Sequence, residues 1–262
     1  MLNPAKIMSP FRANAGSPVL PQDILVRRLR SEGTEEREGH SHEHGQLFCV
    51  LQGLTVVDTD AGRWLMPSNR LGWIPPGVRH GAQYFGAIAG WSLYLHPDIC
   101  EPLPDEPCVY EANALMTPVI ARIAEWTAGE PLDAPRRRLL HVLMDEIQAA
   151  QQPALHLPMP RDQRLLRLSH KLLATPENND SLLALASDIG LSERTLTRKF
   201  REETGLSLGQ WRQLARLARA LELLAQGVSV TQTALDLGYD SVSAFIALFR
   251  RYFGETPGRY LK

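Results

Sequence analysis

The chain has 262 residues, a formal net charge of −1 and 44% hydrophobic residues, so it is long enough for two domains that each bury a core. No apolar run approaches the roughly 18 residues that a membrane span needs, and residues 1–21 lack the layout of a signal peptide. We therefore expect a cytoplasmic protein with no membrane partner. Its cysteines, Cys49, Cys100 and Cys108, have no metal-ligand spacing, which predicts reduced thiols rather than disulfides.

Residues 1–21 are rich in proline, alanine and serine and are predicted to form a flexible tail. Residues 22–112 then show short β-type runs separated by turn residues. The clearest runs are 47–51, 54–57, 64–66, 72–74 and 91–95, with turn residues at 58–62. Many short strands are typical of a closed barrel or a sandwich.

Two helical stretches are predicted in residues 113–152, and each carries one apolar stripe. The stripes are Leu115, Val119, Ile120, Ile123 and Trp126, then Leu139, Leu140, Leu143, Met144 and Ile147. They could pack on the β domain, on each other, or against a second copy of the chain in a homodimer. Pro153, Pro158 and Pro160 break any helix and predict a linker at the start of the last domain, residues 153–262.

The last domain contains one pattern twice. Residues 186–205 recur as residues 234–254, at an offset of 48 residues that becomes 49 in the second half of the pattern. A short helix, a glycine turn and a second helix form a helix-turn-helix unit, which places its second helix in the DNA major groove. Residues 208–225, between the copies, predict one helix of roughly 27 Å, enough to hold two such units about one DNA turn apart.

The charge distribution agrees with DNA binding by this domain. Residues 161–262 have 15 basic and 11 acidic side chains, a net charge of +4, whereas the rest of the chain has 13 and 18, a net charge of −5. Only a positive domain gains affinity by neutralising phosphates and releasing counterions.

Helical spacing predicts which side chains face DNA. Ser192 is expected to cap one helix and Asp240 or Ser241 the other, with Leu196, Phe200, Phe245, Phe249 and Tyr252 facing inward. The outward residues, predicted to bind DNA, are Arg194, Thr195, Arg198, Arg201, Ser243, Ala244, Ala247 and Arg250. Arginine pairs with guanine, and alanine allows close approach and contact with a thymine methyl group. The alternative is that these are solvated surface faces.

Residues 182–262 resemble the DNA-binding domain of AraC/XylS-type regulators. The run from Gly238 to Tyr260 has that family's small-residue opening, paired phenylalanines and Gly-x-Thr-Pro ending. The resemblance implies sequence-specific promoter binding, with activation through contact with RNA polymerase, or with repression.

The amino-terminal half resembles a cupin barrel, as effector domains of that family often do. The residues that carry the resemblance are His40-Ser-His42-Glu-His44-Gly-Gln46, then Gly53, and the run Pro75-Pro-Gly77-Val-Arg-His80. In metal-binding cupins an H-x-H pair, a later histidine and a carboxylate hold the ion. The resemblance matches His42, His44 and His80 to the three histidines, but Phe48 or Cys49 then stands where the family has its glutamate.

Two kinds of effector therefore stay open for the barrel. One is a divalent metal ion on His42, His44 and His80. The other is a small organic molecule bonded by those histidines and Gln46. A metal-dependent cupin enzyme fused to a DNA-binding domain is the competing function, although turnover has no need of two DNA readers. We predict a regulator that is not an enzyme, with an α+β fold: a cupin-like β-barrel and following helices, then an all-α domain with two helix-turn-helix units.

Overall fold

A computed structural model of the protein describes residues 24–126, 132–151 and 156–260. The predicted tail, residues 1–21, lies outside the described residues. The strands are β1 (Ile24–Ser31), β2 (Glu35–His40), β3 (Gly45–Thr59), β4 (Gly62–Pro67), β5 (Arg70–Ile74), β6 (His80–Leu95), β7 (Cys108–Glu111) and β8 (His156–Pro158). The helices are α1 (Pro97–Cys100), α2 (Met116–Ile123), α3 (Ala134–Ala149), α4 (Gln163–Ala174), α5 (Leu182–Asp188), α6 (Glu193–Thr204), α7 (Leu208–Ala225), α8 (Val230–Asp236), α9 (Val242–Phe253) and α10 (Pro257–Tyr260). The α+β fold class is confirmed. None of the described helices is long and apolar enough to cross a membrane.

The long strands β3 and β6 build both halves of an antiparallel β domain. One half has the order β1-β6-β3-β5-β7 and the other β2-β6-β3-β4-β8. Between the halves the pairing shifts, and Gly53 and Gly86 have φ angles of 84° and 76°, which glycine adopts without strain. The predicted runs 47–51 and 54–57 are therefore one strand, β3, because the bulge bends the strand without ending it.

The apolar stripes of α2 and α3 are buried inside the chain. The two helices pack on each other and on the β domain, in one cluster with Leu47, Trp73 and Leu93. Leu115, which precedes α2, is 47% exposed, and Trp126 and Leu139 are partly buried. The surface predicted as a candidate dimer seam is thus covered within one chain.

The region predicted to break helices before the last domain contains a strand. Pro153 lies outside the described residues, but β8, which ends at Pro158, pairs with β4 of the β domain. Leu157 of β8 is fully buried in a cluster with residues of α4, α5, α6 and α7. The linker is therefore built into both domains.

Helices α4–α10 form the carboxyl-terminal domain, with α5–α6 and α8–α9 as two helix-turn-helix units joined by α7. The Ser192 and Ser241 side chains accept hydrogen bonds from backbone N–H groups at the starts of α6 and α9, which confirms the predicted cap of α6 and selects Ser241 for α9. Both helices end at glycines with φ near the left-handed helical value, Gly205 at 74° and Gly254 at 80°.

The two units differ in what they pack against. Phe200 of the first unit lies in a cluster with Trp211 of α7 and Leu157 of the linker strand. Phe249 of the second unit belongs to a cluster that also contains β-domain residues such as Val56. The second unit and the carboxyl-terminal part of α7 therefore share a core with the β domain.

Candidate functional site

The predicted reading residues of α6 lie on its exposed side, with one difference. Arg194, Arg198 and Arg201 are exposed. Thr195 is only half-exposed, because its backbone N–H and its hydroxyl both bond to the Ser192 hydroxyl, at 3.2 and 2.9 Å. Thr195 is thus part of the helix cap. The exposed Thr197, which helical spacing did not select, lines a groove together with the three arginines.

The predicted reading residues of α9 lie on the side of the helix where helical spacing places them. Ser243, Ala244, Ala247 and Arg250 are all exposed. Phe245 and Phe249, on the opposite side, have no exposed surface. The helix therefore presents a face of small side chains with one arginine, a shape that allows close approach to base edges.

Two arginines of α7 hold a loop in place. Arg212 Nη1 donates to the Asp180 carbonyl at 3.1 Å, and Arg216 Nε donates to the Pro176 carbonyl at 2.7 Å. Both carbonyls belong to the segment that precedes α5. These guanidiniums therefore position the first helix-turn-helix unit.

Three imidazoles meet at one edge of the β domain. His40 ends β2, His42 lies in the loop that follows, and His80 begins β6. One nitrogen of each ring lies within 4.8 Å of the others. His42 and His80 are 7% and 4% exposed, and His40 is exposed. Neutral imidazoles at this spacing are common ligands of divalent transition metals.

Backbone hydrogen bonds orient all three rings in the same way. The Nδ1 atoms of His40, His42 and His80 contact the carbonyl oxygens of Glu38, His44 and Val78, at 3.1, 2.6 and 2.9 Å. A carbonyl oxygen only accepts, so Nδ1 carries the proton of the neutral ring and Nε2 is left as the ligand atom. Burial lowers the pKa of His80 to about 4, so this ring is neutral at pH 7, as metal binding requires.

Gln46 completes the group from the start of β3. Its Oε1 lies 3.1 Å from Nε2 of His42 and 3.1 Å from Nε2 of His80, and its Nε2 donates to Ser92 Oγ at 2.7 Å. When the rings are neutral, the Gln46 oxygen and the two Nε2 atoms are all hydrogen-bond acceptors. A cation between these three atoms would satisfy their lone pairs. With the amide turned over, its NH₂ group can donate to both rings, so Gln46 can also close this network without an ion. The donor set fits a divalent metal ion, with an amide as neutral fourth ligand.

His44 does not join this group, contrary to the predicted ligand set. Residues 41–44 form a loop between β2 and β3, so strand alternation does not place His44 on the same side as His42. The His44 ring contacts His96 instead, with centroids 5.9 Å apart. The structure brings His40, in place of His44, together with His42 and His80.

The sequence contains a signal for His40 and His42, in place of His42 and His44, as the H-x-H pair. With His40 and His42 as the H-x-H pair, Gln46 falls four residues beyond the pair. That is the position at which the cupin resemblance places a glutamate. An amide therefore stands at the position where the resemblance expects the fourth ligand.

A small cavity adjoins the histidines between the two halves of the β domain. Its volume is about 40 Å³, and its walls include His40, Gln46, Thr55 and Tyr84. The Thr55 side chain is 2% exposed, and its hydroxyl has no hydrogen-bond partner among the described residues. A cavity of this volume holds a few water molecules, whereas pockets for organic ligands measure roughly 300–1,000 Å³.

The chain is similar to several known proteins. The crystal structure of ToxT from Vibrio cholerae aligns with 92% of this chain and 98% of its own, at 10% identity and a TM-score of 0.40. The family described as a helix-turn-helix domain matches residues 185–262. The HTH-type transcriptional regulator GadX of Escherichia coli K12 is 41% identical over 81 residues, which cover 30% of this chain and 29% of GadX. The HTH-type transcriptional regulator NimR of Escherichia coli K12 is 34% identical over 257 residues, which cover 97% of this chain and 94% of NimR. The chain therefore belongs to the AraC-type helix-turn-helix transcriptional regulators.

Proposed function

We propose that this regulator reads a specific promoter sequence with α6 and α9, and that a divalent metal ion in the β domain controls the reading. The reading residues are Arg194, Arg198, Arg201, Ser243, Ala244, Ala247 and Arg250, with Thr195 as part of the α6 cap. The ligands are His40, His42, His80 and Gln46. The observation that carries the metal assignment is the convergence of two imidazole Nε2 atoms on the Gln46 oxygen.

The cavity volume favours an ion over an organic effector. About 40 Å³ beside the histidines is well below the roughly 300 Å³ that bound organic molecules need. A bound ion would supply positive charge that joins ligands from β2, β3 and β6. The same volume argues against the cupin enzyme alternative, because the cavity lined by His40, Gln46 and His80 has no room for an organic substrate. We therefore propose a sensor that is not an enzyme.

The remaining partners follow from the family. We propose that the protein acts in the cytoplasm on promoter DNA and contacts RNA polymerase where it activates. The homodimer predicted from sequence would form through a surface other than the α2 and α3 stripes, because those residues are buried within the chain.

Metal analysis tests the site. Protein purified without an affinity tag is loaded with Zn²⁺, dialysed, and compared with a variant in which His40, His42 and His80 are alanine and with the matched control His44→Ala. We expect about one ion per chain in the parent and in the control, and none in the triple variant. Metal retained by the triple variant and lost by His44→Ala would contradict the site.

Selection of binding sites from a random duplex library tests the proposed sequence-specific DNA binding. We expect an enriched motif of two segments about 10 base pairs apart, because each reading helix occupies one major-groove turn. A pool that shows no enriched sequence after several rounds, with or without Zn²⁺, would count against sequence-specific reading.

A further inference from the structure

We propose that the turn between β3 and β4 transmits the state of the histidine site to α7 through a contact that we call the latch, formed by Asp58, Arg63 and Glu222. The inference rests on the proposed function, since it assigns the route by which the β domain acts on the reading helices. Four sets of contacts carry it.

The latch begins beside the histidine site. Within the paired strands β3 and β6, His80 lies opposite Thr59, and the next pair is Asp58 with Gly81. A shift of the His80 backbone therefore acts on the end of β3, where Asp58 lies. The Thr59 hydroxyl also accepts a hydrogen bond from the Ala61 N–H at 3.2 Å, which ties the same end of β3 to the turn.

Arg63 connects this end of β3 to the DNA-binding domain. Its Nε and Nη2 atoms donate to the two carboxylate oxygens of Asp58, at 2.8 and 3.2 Å. Its Nη1 atom donates to Glu222 Oε1 of α7 at 3.4 Å. A guanidinium is planar, so its two bonds to Asp58 fix the direction of the third. The position of Asp58 thus determines whether Arg63 reaches Glu222.

Glu222 is a buried carboxylate of α7, so its pairing with Arg63 affects the position of the helix. The residue is 4% exposed, and its second carboxylate oxygen accepts a hydrogen bond from Arg219 at 2.8 Å. A buried carboxylate is costly unless it is paired, so the latch differs from a surface ion pair. Loss of Arg63 leaves Glu222 with one guanidinium under the β domain, which favours separation of α7 from β4.

A second connection holds the other end of α7. Trp64, next to Arg63, stacks on His156 of β8, with ring centroids 3.8 Å apart. The same strand ends at Pro158, whose carbonyl accepts a hydrogen bond from Trp211 Nε1 at 2.7 Å. From Trp211 to Glu222 the helix rises roughly 16 Å. The β domain therefore holds α7 near both ends, and release of the latch removes the ion pair near its carboxyl-terminal end, where apolar packing alone remains.

Opening of the latch would change the spacing between the two helix-turn-helix units. Because α7 joins the units, a weaker hold of the β domain on its carboxyl-terminal end lets the second unit move relative to the first. Two arrangements with different DNA affinity then exist, and the metal state of His80 biases the choice between them through Asp58 and Arg63.

The test compares DNA affinity with and without metal. The full-length parent, Arg63→Gln and the matched control Arg122→Gln are titrated with one duplex from the selection, in Zn²⁺ and in EDTA. Arg122, on α2, forms an exposed ion pair with Glu125, so its substitution tests a generic charge effect. We expect affinity ratios of at least about 5-fold in the parent and the control. In Arg63→Gln we expect a ratio within twofold of one.

The possible outcomes separate the hypotheses. A variant that loses affinity by the same factor in both conditions and keeps the parent's ratio has lost only a structural contact, which overturns the latch and leaves the metal assignment standing. A parent ratio of one overturns both the latch and metal control, while an enriched motif would still support DNA reading. If Arg63→Gln does not fold, Glu222→Gln serves in the same test.

Hydrogen exchange of the α7 amides gives a readout without DNA. Zn²⁺ should protect these amides in the parent and not in the Arg63→Gln variant.

Discussion

At the scale of single residues, the amide of Gln46 would limit how tightly the histidine site holds the proposed ion. We predict that Gln46→Glu binds Zn²⁺ at least about 10-fold more tightly, because a carboxylate adds a full negative charge beside the ligand nitrogens. Isothermal titration gives the affinity. The variant should also gain more thermal stability than the parent on adding Zn²⁺, since a ligand stabilises the folded state according to its affinity.

Gln46→Leu is the matched control for this prediction. It keeps a similar volume and removes both hydrogen-bonding atoms, so its affinity for Zn²⁺ should fall below that of the parent. Equal Zn²⁺ affinity in the parent, the glutamate variant and the leucine variant would show that residue 46 is not a ligand.

The same residues show the limits of pattern reading at this scale. The sequence predicted histidines that converge in the β domain, and His42 and His80 are among them. The cupin resemblance placed His44 in the group as part of an H-x-H pair, whereas residues 41–44 are a loop. The choice between His40 and His44 depends on where β3 begins. Local composition does not determine that boundary, although the spacing to Gln46 supplied a clue.

At the scale of one helix, two neighbouring residues of α9 have opposite roles. Arg250 is exposed and Phe249 is fully buried. We predict that Arg250→Ala keeps the fold, costs about 1–3 kcal/mol of binding to the selected duplex and relaxes the preference at one base position. Phe249→Ala should instead destabilise the fold by about 3–5 kcal/mol, because it leaves a cavity in a shared core.

Urea unfolding and a repeated binding-site selection separate these effects. Arg138→Ala, on the exposed part of α3, controls for the loss of one positive charge. An Arg250→Ala variant that loses affinity equally on every sequence would make Arg250 a phosphate contact rather than a base reader.

Helices and caps were predictable because their signals are local. Ser192, Ser241, Gly205 and Gly254 lie next to the helices they begin or end, and the duplication supplied each signal twice. The β3 strand was predicted as two runs, since a glycine between apolar runs reads as a turn. Its continuation through Gly53 depends on pairing with the distant strand β6.

At the scale of the whole molecule, the two helix-turn-helix units are not equivalent. Both come from one repeated pattern, yet among the described residues the first unit packs against Leu157 of the linker strand β8, whereas the second shares a core with residues of β3 and β4. Contacts such as Arg63 with Glu222 join residues far apart in the chain and leave no periodic trace in the sequence. The sequence therefore predicted two domains and did not predict how they pack.

Gly86 tests how closely α7 approaches the β domain. A Cβ atom at this position would lie 2.5 Å from the carbonyl oxygen of Ala225, the last residue of α7, and the backbone has φ of 76°. Gly205→Ala is the matched control, because Gly205 has φ of 74° and no atom within 4 Å of such a Cβ. Both variants incur the left-handed backbone cost of about 1 kcal/mol. Gly86→Ala should cost about 1–3 kcal/mol more in urea unfolding, because a backbone oxygen cannot rotate away as a side chain can. It should also increase hydrogen exchange at the carboxyl-terminal end of α7, whereas Gly205→Ala should not. Equal losses of stability in the two variants would mean that α7 does not pack on the β domain in solution. Arg63 could then not contact Glu222, and the latch would not form.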